Sequence, residues 1–189
     1  MSEFVLEAKP FLGGYKRDIS GVELEEVTGL AIVSVAAPRG EEKNLKATMK
    51  SAFDCVFPVP GEVAHAKDKK TRFVGMSPDQ IFALFEHEGT DAAEIIGKKL
   101  KGRGYVTLQS DNWVALRISG ARVREALERI CPVDLNSDVF AIDHAARTVM
   151  EHLGVVIVRE DADTFLLLSA SSSAHSFLHA VETSMEYAL

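Results

Sequence analysis

SDNWVALRISGARVREALERICPVDL, residues 110–135, is the stretch from which the fold is read. From 113 to 119 the side chains alternate: Val114, Leu116 and Ile118 point one way, Trp113, Ala115, Arg117 and Ser119 the other. That is the period of a strand with one face on a core. Ser119-Gly120 then turns the chain, with the Ser hydroxyl placed to cap the free amides of a following helix. Val123, Ala126, Leu127, Ile130 and Cys131 recur at helical spacing as one apolar stripe. Glu125 and Arg129 stand at the i,i+4 spacing that favours an ion pair. Pro132 disfavours helical backbone at Cys131 and predicts the stop. No side chain in this unit is forced toward catalysis.

The same order of events precedes it. LAIVSVAA, residues 30–37, is a nearly continuous apolar run suited to a central strand covered on both faces. Pro38-Arg39-Gly40 leads into a helix with the stripe Leu45, Met49, Ala52 and Phe53, and Pro58-Val59-Pro60-Gly61 ends that unit. Residues 72–75 and 80–86 predict a hairpin around Ser77-Pro78-Asp79. A helix then starts from Asp91, with Glu94 as a capping-box partner and the stripe Ala92, Ile95, Ile96 and Leu100. Gly102 is placed to end it in a left-handed conformation. Residues 105–109 form a strand that turns into the opening stretch.

Beyond a loop holding Asn136, Ser137 and Asp138, residues 145–152, 155–159 and 165–169 read as strands. A last helix starts in Ser171-Ser172-Ser173 and buries Ala174, Phe177, Leu178, Val181 and Met185. Phe82-Ala83-Leu84-Phe85 answers to Phe165-Leu166-Leu167-Leu168, 83 positions on. The expectation is an α+β fold: duplicated strand-helix-strand-strand-helix units, about 30–103 and 104–189, with mainly antiparallel sheets in one domain spanning 30–189. Residues 1–29 form an N-terminal arm. Its Phe4, Val5, Phe11, Leu12 and Tyr15 are too apolar for an inert tail, and predict packing on a partner subunit or back on its own domain.

A formal charge of −7 argues against a nucleic-acid surface, which needs a basic field. No window is apolar and long enough to span a bilayer and the N-terminus carries no signal-like run, so a soluble, cytoplasmic protein is expected. Cys55 and Cys131 lie far apart among apolar neighbours and are read as buried thiols.

Chemistry finds few footholds. His175 and His179 share a helix face at metal-ligand spacing, but without the Glu of a zinc protease or a third ligand nearby. Ser169 and Ser171 to Ser173 lack a nucleophile elbow, and capping of the last helix accounts for the Ser cluster. Gly13-Gly14 and Gly102-Arg103-Gly104 lack the strand-to-helix setting of a phosphate loop. No carboxylate pair sits where its pKa values are forced apart. The sequence therefore names no catalytic, cofactor-binding or metal residue, and reads as an interaction module.

Several stretches resemble the gamma subunit of heterotetrameric sarcosine oxidase. They are Trp113 through Cys-Pro-Val-Asp-Leu (131–135), AARTVMEHLGVVIVRE (145–160), TFLLLSASSSAHSFLHAVE (164–182), and AAPRGEE (36–42) with PVPGEVA (58–64). The resemblance runs from about residue 30 to the C-terminus. It departs from the family at Ser171 to Ser173, where an Arg is common, and along the arm. It implies a fold similar to the folate-binding domain of glycine-cleavage T-proteins. It also implies a non-catalytic role in a complex that demethylates sarcosine to glycine, with hydrogen peroxide and formaldehyde or methylene-tetrahydrofolate as further products. FAD, FMN, NAD and zinc are then expected in the alpha, beta and delta partners and no cofactor in this chain, with tetrahydrofolate a co-substrate of the complex. Arg122, Arg124, Arg147 and Arg159 lie in the family-like stretches, and Asp134 is placed to pair with one of them. Contact with a partner subunit is the reading, since Arg is favoured at interfaces; ordinary surface or intramolecular salt bridges are the alternative. A stand-alone folate- or small-molecule-binding domain of the T-protein type is the other functional expectation.

Overall fold

Strand alternation sorts the side chains into three cores. The computed structural model describes residues 9–189, so Phe4 and Val5 lie outside the described residues. In order come β1 (Lys16–Ile19), β2 (Val22–Glu26), β3 (Leu30–Ala36), α1 (Glu42–Phe53), β4 (Val63–His65), β5 (Arg72–Ser77), β6 (Gln80–Glu86) and α2 (Ala92–Lys99). Then follow β7 (Tyr105–Leu108), β8 (Trp113–Ser119), α3 (Val123–Leu127), β9 (Ala145–Met150), β10 (Leu153–Asp161), β11 (Thr164–Ala170) and α4 (Ala174–Ala188). The strands form two antiparallel sheets, ordered β4-β5-β6-β3-β7 and β1-β2-β8-β11-β10-β9.

In β3, Ala31, Val33 and Val35 face α1 and α2, where Leu45, Met49 and Ile96 meet them, while Ile32 faces the other sheet. In β8, Val114, Leu116 and Ile118 face α3 and α4, where Leu127 and Phe177 meet them, while Ala115 looks between the sheets. Phe82 and Leu84 from one sheet and Val156, Val158, Leu166 and Leu168 from the other fill the layer between. The result is helices, sheet, sheet, helices. Both faces of each sheet are covered, which is why β6, β10 and β11 read as continuous apolar runs.

The duplication has one feature that periodicity could not give. Matching β3 to β8 makes β4-β5-β6-β3 the counterpart of β9-β10-β11-β8. The strand that leads each unit, however, crosses to the other unit's sheet: β2 pairs with β8, and β7 pairs with β3. Val22 and Leu24 of β2 are thereby fully buried on the second sheet. So residues 16–26 of the arm pack on their own domain. Glu26 accepts hydrogen bonds from the backbone of Leu12 (3.0 Å) and Gly14 (2.8 Å), and Arg17 reaches Glu182 and Glu186 of α4.

Local expectations are corrected at helix ends. α3 stops at Leu127, well short of the predicted Cys131. Arg122 pairs with Glu125, and Arg124 with Glu128, in place of the predicted Glu125–Arg129 pair. Ser119 stays in the sheet opposite Thr164 and Glu23, and its side chain caps nothing. No side-chain cap forms at Ser173 or Asp91 either. Ser171 Oγ donates instead to the carbonyl of Asp111 (2.7 Å), Asp91 binds His87 and Glu94 pairs with Lys98. Gly102 has the predicted left-handed backbone, with φ +70°.

Candidate functional site

Charge enters the space between the sheets at one end. Arg117 follows Trp113 and Ala115 on the inward face of β8, and Glu160 stands near the end of β10, where a bulge separates Arg159 from Asp161. Glu160 is nearly buried and takes two guanidinium groups at once: Arg117 of its own sheet (2.7 Å) and Arg72 at the start of β5 in the other. Glu25 on β2 adds a longer contact to Arg117 (3.4 Å). Burial by itself pushes the Glu160 carboxyl up; the hydrogen bond from Arg117 and the charge of Arg72 outweigh it and hold it below the ordinary carboxylate range. Burial likewise works against the Arg117 charge, and Glu160 and then Glu25 outweigh it.

This network floors a cleft of about 1240 Å³. Residues 25–30, 68–72 and 84–88 wall it, with His65 and Lys99 at its sides. Cationic and anionic groups are mixed along it. Its shape admits a small molecule, while the two guanidinium groups on its floor are already engaged by carboxylates. Sequence reasoning misses the network because Glu160 lies just past the strand expected at 155–159, whereas β10 continues through it to Asp161. The available signal was Arg117, a charge at a strand position whose neighbours Trp113 and Ala115 face inward.

The five residues expected at a subunit contact are not brought together. Arg122 spans Glu125 and the terminal carbonyls of Ala188 (3.2 Å) and Leu189 (3.1 Å). Arg124 pairs with Glu128 along α3. Asp134 accepts from the backbone of Asn136 (2.9 Å) and pairs with none of the four arginines. Arg147 is exposed on the edge strand β9. Arg159 is 4% exposed and donates to the carbonyls of Phe140 (2.7 Å), Leu135 (3.4 Å) and Ala162, with its guanidinium over the Phe165 ring. It is a clamp on the 135–140 loop.

The histidines of α4, His175 and His179, are exposed, and among the described residues no group of three His, Cys, Asp or Glu side chains is placed to hold a metal ion. Ser169 is buried and donates to the carbonyl of Gly154 (3.0 Å). Cys55 and Cys131 are free and buried; burial and the charge of Asp54 push the Cys55 thiol up to about 11, and burial raises Cys131. Neither is poised as a thiolate. No helix among the described residues is long and apolar enough to cross a membrane.

No family model matches the chain. It is 24% identical over 168 residues to sarcosine oxidase subunit gamma of Corynebacterium sp. (strain P-1), covering 88% of this chain and 82% of that one. Among solved structures, it superposes on a chain of the heterotetrameric sarcosine oxidase from Corynebacterium sp. U-96 in complex with pyrrole 2-carboxylate. The TM-score there is 0.77 at 23% identity, over 88% of this chain and 84% of the other. Glycine cleavage system aminomethyltransferase T from Bartonella henselae shares the fold with a TM-score of 0.61 at 10% identity, over 85% of this chain and 45% of that one. In sequence along most of its length the chain is similar to a sarcosine oxidase gamma subunit, and in fold to a chain of a heterotetrameric sarcosine oxidase.

Proposed function

We propose that this chain is a gamma-type, non-catalytic subunit of a heterotetrameric sarcosine oxidase, acting in the cytoplasm with alpha, beta and delta chains. The observation that carries this reading is the extent of the sequence similarity, which runs along 88% of the chain rather than through one motif. The complex oxidises the N-methyl carbon of sarcosine, sends the electrons to dioxygen as hydrogen peroxide, and releases glycine. The carbon leaves as formaldehyde or is passed to tetrahydrofolate. FAD, FMN, NAD and zinc belong to the partner chains in this reading; the gamma chain supplies surface and rigidity.

The test is co-expression with alpha, beta and delta chains, followed by pull-down, absorbance spectra and a peroxide assay. The expected result is a stable complex containing this chain, a colourless isolated chain, and a lower yield of flavoenzyme when the chain is omitted. Flavin binding or sarcosine-dependent peroxide production by the isolated chain overturns it. A second reading, a stand-alone folate- or small-molecule-binding domain, is favoured by the cleft at the Arg72–Glu160–Arg117 network together with the likeness to the T-protein fold. Calorimetric titration of the isolated chain with tetrahydrofolate and with sarcosine separates the two: binding supports the second reading.

A further inference from the structure

The connections that follow α1 and α3 are counterparts in the two units, and they meet where β4 and β9 bring the sheets' outer edges together. Glu62 bridges to His144; the amide of Val63 donates to the carbonyl of Asp143 (2.8 Å), and that of Ala145 to Gly61 (2.9 Å). Four of the eight large exposed apolar side chains among the described residues stand on these two connections: Val56, Val59, Val139 and Ile142. Single exposed valines are ordinary; four gathered on two joined loops are not.

Their backbone is fixed from beneath. A Cβ on Gly75 would lie 2.0 Å from the carbonyl oxygen of Val59, so the Val59-Pro60 backbone rests directly on β5. On the other side the buried Arg159 holds the carbonyls of Leu135 and Phe140, and its own carbonyl takes the amide of Asp143 (3.0 Å). Val139 and Ile142 are thus displayed on a clamped loop. Apolar groups already ordered in the free protein lose little conformational freedom when covered.

Acidic residues lie along the seam: Asp54, Glu62, Asp134, Asp138 and Asp143, with Lys67 paired to Asp54 (3.1 Å), His65 bonded to Asp143 (2.7 Å) and Arg147 exposed on β9. A second copy docked on a two-fold axis would set these acids against themselves on a chain of formal charge −7. We propose that the seam formed by 54–62 and 134–144 is where this chain docks on a larger partner protein whose contact face is apolar at its centre and ringed by Lys and Arg. This rests on the subunit reading and adds where the contact lies.

The experiment is co-purification with tagged alpha, beta and delta chains. The variants are the double V59E/I142E and, as a second pair at still more exposed sites, V56K/V139K; Y105E on β7 and Y187E on α4 are controls. All substituted residues are exposed, and circular dichroism and melting check each fold. Wild type and the controls should be recovered with the partners. Recovery of V59E/I142E should fall by roughly tenfold or more, because a buried charge is placed at the centre of the contact. V56K/V139K should fall likewise, and it decides the question if the first pair does not fold. Full recovery of a folded pair overturns the assignment while leaving the subunit reading intact. Failure of the wild type itself to co-purify overturns the subunit reading. A dimer of the isolated chain, dissolved by V59E/I142E, makes a second copy the occupant and overturns the choice of partner.

Discussion

Gly120 closes β8 with φ +138°, and a Cβ there would lie 2.3 Å from the carbonyl oxygen of Gly21 and 3.0 Å from Cα of Val22. Two penalties coincide: a backbone conformation that L side chains avoid, and contact with backbone that cannot swing away. Gly120→Val should cost about 3 kcal/mol by overpacking and strain. At this chain length that lowers the melting temperature by roughly 6–12 °C. An unchanged melting curve shows the turn to be open. That a tight turn falls at Gly120 is legible from a glycine between a strand pattern and a helix pattern. What presses on it is not, because Gly21 comes from the arm, where no periodicity is visible. Arg159 shows the same limit. Its residue type and its place in a family-like stretch suggest an interface, and nothing local reveals that carbonyls of a loop two dozen residues earlier surround it.

Elements with a repeating apolar pattern were readable, and short ones were not. The stripes on α1 and α4 mark their buried faces, with Ala52 only half-buried, and the alternation in β8 marks the face toward α3 and α4 but not the burial of Ala115 on the other. α3 defeats its pattern because five residues suffice to carry Val123, Ala126 and Leu127 into the core, and Cys131 reaches the same core from the following turn. β1 and β2 escape because charges fill most positions of KRDI and VELEE, which hides a strand whose inward residues are Val22, Leu24 and the buried Glu26. The importance of β2 can be measured. Leu24 is fully buried against β8 and α4, so Leu24→Ala should cost about 2–5 kcal/mol through lost transfer energy and a cavity. Denaturant unfolding checks this, and a cost below 1 kcal/mol means that β2 is peripheral.

Across the whole molecule, Glu160 is the point at which the two sheets are tied by charge, since Arg72 belongs to one and Arg117 to the other. Its carboxyl is held below the ordinary value of 4.5 in the folded protein. A depressed folded-state pKa gives stabilisation that is fully present above the unfolded value and lost as pH falls through the folded one. The protein should therefore lose stability below about pH 4.5. Glu160→Gln should remove about 2 kcal/mol near neutrality and flatten that acid limb. Melting temperatures of both proteins between pH 7 and 3 test it; parallel curves mean that Glu160 does not link the sheets. The exchange of β2 and β7 between the units bears on how the protein is made. β2 is synthesised before β8, the strand it must join, with the entire first sheet in between. At about 5–20 residues per second, Val22 and Leu24 wait on the order of 5–20 s without their partner. The first sheet meanwhile lacks β7, and the second is completed on the nascent chain only once β8 to β11 have emerged. Ribosome-tethered chains ending before residue 105 would on this account be the species that chaperones hold.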